Sequence, residues 1–168
     1  MKKIHKLKII TLVVLLISMC GIIGCAKEKQ RSAANEKELI NIILDAIKSG
    51  NTDELSCVMS DEISSKLGFK NEDIYSGLNK ICKNVKDDCG KIKKIDYVVK
   101  ESSYEADCAA NIAKEFHIAA ETWLEELIVL VVDGESGSSS YYVDIWAVKV
   151  DGKFYLMKLK KTDFYTSK

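Results

Sequence analysis

Apolar residues run almost unbroken from Ile9 to Ile23, fall into helical spacing between Leu39 and Val85, and alternate with polar residues from Ile95 onward. The first helical stretch starts at Asn35, with Glu38 three residues on as a capping-box pair. Leu39, Ile40, Ile42, Ile43, Leu44 and Ile47 give it a broad apolar face, and Gly50 stops it. Asn51 or Thr52 caps a short helix through Leu55, Val58 and Met59. Ser60 begins another turn or two, with Ile63 and Leu67 apolar and Gly68 at its end. Asn71 caps a longer helix whose stripe is Ile74, Leu78, Ile81, Cys82 and Val85, closed by Asp87-Asp88-Cys89-Gly90.

The period then changes to two. Ile95, Tyr97 and Val99 predict a strand over 94–100, and Ala106, Ala109, Ala110, Ala113 and Phe116 predict a helix over 104–115 inserted after it. A strand over 118–132 ends in Leu127 to Val132, apolar on both faces, the mark of a central strand covered on both sides. A Gly/Ser loop over 133–140 leads to a strand over 141–150. Asp151-Gly152 is a two-residue hairpin signal, and the last strand runs over 154–160. Helices followed by mostly antiparallel strands predict an α+β fold, with the N-terminal helices packed on a four-stranded sheet.

The opening apolar run is 15 residues long, broken by Thr11, Ser18 and Gly21, whereas a membrane-spanning helix needs about 20. Lys2, Lys3, Lys6 and Lys8 precede it, so it reads as a signal peptide. It ends in Ile22-Ile23-Gly24-Cys25, which resembles the lipobox of bacterial lipoproteins. That resemblance implies export, cleavage before Cys25, and a diacylglyceryl lipid on its thiol, which is nucleophilic as the thiolate. Two acyl chains anchor stably where one binds only marginally. Two other readings stand beside it: an uncleaved anchor, and ordinary signal cleavage, which the bulky Ile22 opposes. Cys20 follows Met19 and competes poorly. Ala26, not Asp, follows Cys25, and the Lys-rich, proline-free composition leans toward a Gram-positive cell surface. The expected organisation is a signal peptide over 1–24, lipidated cysteine and flexible tether over 25–35, one domain over 36–162, and a polar tail over 163–168.

Composition sharpens this division. The precursor is neutral, with 25 basic and 25 acidic residues, but four lysines leave with the signal and no acid does. The remaining chain therefore carries a net charge of −4, the difference between 21 and 25. With no basic stripe, nucleic acid is not an expected partner. Cys57, Cys82, Cys89 and Cys108 remain downstream of Cys25. Outside the cytoplasm an even count permits disulfides. Nearness in sequence favours Cys82–Cys89 with Cys57–Cys108, and four free, largely buried thiols stay open as the alternative. There is no Cys-x-x-Cys, and His117 is the single histidine after Cys25, so neither a metal nor another cofactor is expected.

A second resemblance concerns the domain. Glu38-Leu39-Ile40-x-x-Ile43-Leu44-x-Ala46-Ile47-x-x-Gly50-Asn51-x-Asp53-x-Leu55 resembles the start of cone-shaped, nuclear-transport-factor-2-like domains of the cystatin-like superfamily. Val148 to Leu156 resembles the closing hairpin of small Firmicute lipoproteins with that fold. The resemblance implies a curved, cone-like sheet, and enzymes of this class place an Asp, His or Tyr inside the cone.

Tyr142, Asp144 and Trp146 share one strand face by their spacing of two, so Asp144 beside an indole is a candidate general base. The plain alternative is an Asp144 that is solvated or paired with a lysine. His117 is a candidate proton carrier, or a capping residue at a helix-to-strand junction. Glu121, Glu125 and Glu126 do not share one strand face and read as a solvated edge rather than a metal site. Tyr141, Tyr142, Trp146, Phe154 and Tyr155 concentrate aromatic rings on the last hairpin, as core filling or a binding surface. With no phosphate-cradling loop or nucleophile elbow, the leading expectation is a lipid-anchored, non-enzymatic module that binds a small ligand, peptide or envelope protein. The alternatives are a cone-pocket isomerase or dehydratase using Asp144 with Tyr142 or His117, and a structural or inhibitory envelope protein.

Overall fold

The computed structural model describes residues 31–162. The expected signal peptide, Cys25 and the tail from residue 163 lie outside them. In chain order the elements are α1 (Glu36–Ser49), a 3-10 helix (Thr52–Val58), α2 (Asp61–Lys66), α3 (Asn71–Cys89), β1 (Ile92–Glu105), α4 (Ala106–Phe116), β2 (Ala120–Gly134), β3 (Ser138–Val150) and β4 (Lys153–Thr162). The strands form one antiparallel sheet in the order β1-β2-β3-β4. This is the expected α+β fold, with a helix after the first strand. No helix among the described residues is long and apolar enough to cross a membrane.

Local chemistry sets the helix ends. Asn35 Oδ1 accepts the Glu38 N–H at 3.0 Å, and Glu38 Oε2 reaches back to the Ala34 N–H at 2.7 Å. This is a reciprocal box with its second bond one residue early. Gly50 closes α1 with φ +67°, a conformation that a Cβ disfavours. Asn35→Ala should cost about 1 kcal/mol of stability. Urea denaturation reads this directly, and an unchanged midpoint would show the cap to be idle. At α3 the expectation shifts by one residue. Lys70 holds the cap position without a side-chain bond, while the Asn71 amide donates to Asp61.

The main core lies between the helices and one face of the sheet. Leu39, Ile40 and Ile43 of α1, Leu55, and Leu78 and Ile81 of α3 meet Leu124, Ile128, Leu130, Val143, Ile145 and Leu156. Burying each such side chain contributes roughly 1.5–3 kcal/mol, so this layer holds the fold together. Helix α3 packs so closely on β4 that a Cβ added at Gly77 would lie 1.8 Å from the Leu159 carbonyl oxygen. The Tyr141 hydroxyl ties the end of α3 to β3, donating to Asp88 Oδ2 at 2.8 Å. A smaller cluster joins Ile112 of α4 to Ile118, Trp123, Val148, Val150 and Met157.

Two expectations change here. Strand β2 is central, yet its second face is only partly covered. Helix α4 has 11 residues and β2 has 15, about 16 Å against about 50 Å, so Val131 stays 38% exposed and Val98 on β1 52%. The expected loop over 133–140 shrinks to residues 135–137, because Ser138, Ser139 and Ser140 pair with Asp133, Val132 and Val131. Backbone ladders need no apolar side chain, so the serines hid this part of β3. The hairpin at Asp151-Gly152 forms as expected, both residues having positive φ.

The favoured disulfide pairing is also corrected: no disulfide joins Cys82 to Cys89 or Cys57 to Cys108. Helix α3 continues through Cys89, which places Cys82 and Cys89 two turns apart on one helix. Seven residues rise about 10.5 Å, beyond the roughly 7 Å that a disulfide spans between Cα atoms. Cys57 packs on the main core and Cys108 on the smaller cluster, so these two are separated as well. The domain begins earlier than the expected boundary at residue 36. Ala33 is fully buried, and its carbonyl accepts the Phe154 N–H at 2.7 Å.

Candidate functional site

Alternation along β2 sends Leu124, Ile128, Leu130 and Val132 into the main core, and residue 126 falls on the same face. Glu126 is therefore buried at 1% exposure, opposite Ser102 on β1 and Ile145 on β3. This overturns the solvated-edge expectation for this glutamate. The signal was present in the sequence: counting back by two from Val132, Leu130 and Ile128 lands on Glu126. The run Glu125-Glu126 concealed it, because adjacent strand residues point to opposite faces.

Neither oxygen of Glu126 meets a hydrogen-bond donor. What faces it is a second carboxyl group, Glu36, at the start of α1. A helix N-terminus favours a negative group at Glu36 through its unpaired N–H groups and dipole. The Tyr104 hydroxyl, from the end of β1, donates to Glu36 Oε2. Two carboxylates so placed repel, and they join only when one carries a proton. Burial, with the Glu36 carboxyl adding to it, pushes Glu126 up to about 8. Tyr97, half-buried on β1, has its hydroxyl raised mainly by burial and then by the charges of Glu126 and Glu36. Three elements, α1, β1 and β2, thus bring two carboxyl groups together against an apolar layer.

Glu36, but not Glu126, lines an open surface depression of about 440 Å³ with Tyr104, Asn35, Lys37, Thr122, Lys149 and Phe154 among others. Lys149 lies 3.4 Å from Glu121 and 5.9 Å from the centre of the Phe154 ring. A second depression, of about 420 Å³, runs beside edge strand β4 and includes Phe69, Lys80, Lys158, Lys160 and Lys161.

Tyr142, Asp144 and Trp146 do share one face of β3, each half-buried, but it is the face away from the main core. Asp144 Oδ2 pairs with Lys158 Nζ at 2.6 Å, and the same ammonium sits 3.6 Å from the Trp146 ring centre. Trp146 in turn meets Phe69 and Trp123, with ring centres 6.4 and 6.2 Å away. Asp144 is thus a carboxylate paired through one oxygen in an aromatic clamp. His117 is exposed and closes α4 with φ +53°. Of the other aromatic residues on the last hairpin, Tyr141 and Phe154 are core, while Tyr142 and Tyr155 are half-buried. Glu121 accepts the Gly152 N–H, and Glu125 accepts the Trp123 indole N–H at 2.9 Å.

Among protein-family models, curated proteins and solved structures, none matches this chain.

Proposed function

We propose that this chain is an extracytoplasmic lipoprotein. Diacylglyceryl Cys25 fastens it to the outer face of the cell membrane, on a Gram-positive surface. Its domain is a non-enzymatic binding module for a small ligand, peptide or envelope protein, of the cone-like, nuclear-transport-factor-2-like kind. The observation that carries this reading is Ile22-Ile23-Gly24-Cys25 at the end of a short apolar run behind four lysines.

Binding rather than catalysis is favoured by the state of the two acids. Asp144 is neutralised by Lys158 at 2.6 Å, and Glu126 is 1% exposed. A general base must come within about 3 Å of a substrate proton, directly or through one water, which burial opposes at Glu126 and the ion pair with Lys158 disfavours at Asp144. Cys25→Ser tests the anchor. Metabolic labelling with radioactive palmitate should mark the wild-type protein and not the variant, which should move to the soluble fraction or stay unprocessed. Equal labelling of the two proteins refutes the anchor.

A further inference from the structure

We propose that the lysine-rimmed groove between α3 and β4 faces the bilayer that holds the anchor and docks on its anionic lipid headgroups. This rests on the lipid-anchor reading and deepens it, because it gives the anchored domain an orientation.

The groove gathers positive charge on a chain that is otherwise acidic. Lys80 of α3 and Lys158, Lys160 and Lys161 of β4 line it, against one acid, Asp73. The chain from Cys25 onward carries a net charge of −4. Lys158 is paired with Asp144, and Lys161 lies 5.9 Å from the centre of the Tyr141 ring. Lys80 and Lys160 are exposed and have no ion-pair partner among the described residues. Phe69 and Met157 line the same groove. Ammonium groups beside apolar surface suit the headgroup layer, where phosphates lie above the first methylenes of the acyl chains. An acidic peptide added as a further strand would need the outer edge of β4. Helix α3 occupies that edge at Leu159, so closely that no Cβ fits at Gly77.

The leader brings this groove to the bilayer. It joins the domain at the start of β4, where the Ala33 carbonyl accepts the Phe154 N–H. Eight steps along the chain separate Cys25 from Ala33, a span of at most about 28 Å. The groove begins at Met157, three residues further along the strand, or about 10 Å. The anchor makes the encounter intramolecular, so contacts too weak to hold a free protein suffice. Each lysine at an anionic surface favours the docked orientation by about fivefold. The acidic remainder of the domain is repelled by the same surface and turns away from it.

The chain carries its own reporters, since its two tryptophans, Trp123 and Trp146, have ring centres 5.9 and 6.4 Å from that of Phe69 in the groove. The lipidated full chain is reconstituted in phosphatidylcholine vesicles and in vesicles with about one-third phosphatidylglycerol. Both contain a phosphatidylcholine spin-labelled at the headgroup, which quenches tryptophan at short range. Quenching should be at least about twofold stronger in the anionic vesicles. It should fall to the neutral level in about 1 M salt, where the screening length is about 3 Å. Lys80→Gln combined with Lys160→Gln should abolish the difference, while Lys48→Gln combined with Lys114→Gln, outside the groove, should keep it. The proposal is overturned if the two vesicle types quench alike, as they would for a groove that serves an acidic peptide instead. It is overturned as well if salt has no effect, or if the groove variant behaves as the control variant does. Flotation with neutral vesicles reads the anchor alone. Equal quenching with intact flotation would therefore reject the docked orientation and leave the anchor standing, whereas lost flotation would reject the anchor itself.

Discussion

Glu126→Gln will stabilise the protein near neutral pH and flatten the dependence of its stability on pH. In the unfolded chain this carboxyl titrates near its ordinary 4.5, whereas in the folded protein it is held up to about 8. Between those values the folded state keeps a proton that the unfolded state has released. Stability is therefore complete below about 4.5 and is lost as pH rises through about 8. Each unit is worth about 1.36 kcal/mol, so the full window amounts to roughly 5 kcal/mol, large beside a typical total of about 5–15 kcal/mol. Glutamine fills nearly the same volume, does not titrate, and still offers Glu36 a donor. Urea denaturation of both proteins at several values between about pH 5 and pH 9 should give a falling curve for the wild type and a flatter one for the variant. Parallel curves would mean that Glu126 is ionised and solvated in the folded state, contrary to its burial.

The second large effect belongs to Gly77. An alanine Cβ there would stand 1.8 Å from the Leu159 oxygen and 3.0 Å from its carbonyl carbon, both of them backbone atoms that cannot swing aside. Helix α3 would have to lift from β4, opening the layer that buries Leu78 and Ile81 against Leu156 and Leu159. Overpacking of this kind costs about 1–3 kcal/mol, and the upper end is expected here. Gly50→Ala is the control. It has open space around the new Cβ but a left-handed backbone, so its cost should be nearer 1 kcal/mol, or about that. Should Gly77→Ala prove the milder of the two in urea, the close helix–strand approach is wrong.

Much of the fold was legible because apolar spacing reports directly which face an element buries. Asn35, Gly50, Ser60 and Asp151-Gly152 mark element ends through local backbone chemistry, which a sequence carries in full. Cys82 and Cys89 misled, because nearness in sequence says nothing of distance until the helix is known to run through both. The face that Tyr142, Asp144 and Trp146 share was legible. Which side of the sheet that face meets was not, since it depends on where the helices dock. The carboxyl pair was hidden for a similar reason. Glu36 and Glu126 are 90 positions apart, and only the docking of α1 on the sheet makes them neighbours. A glutamate on the inward face of a strand gives no warning that another acid will be folded against it.

The bond between the Phe154 N–H and the Ala33 carbonyl has a mechanical meaning. Any tension on the chain ahead of Ser32 enters the domain there, at the first residues of an edge strand, and not at the centre of the sheet. Drag on the body of an anchored molecule would load this one bond and the buried Ala33 before it reached the ladder between β3 and β4. The domain would then yield by releasing a few residues of leader, lengthening its reach while the folded body stays whole.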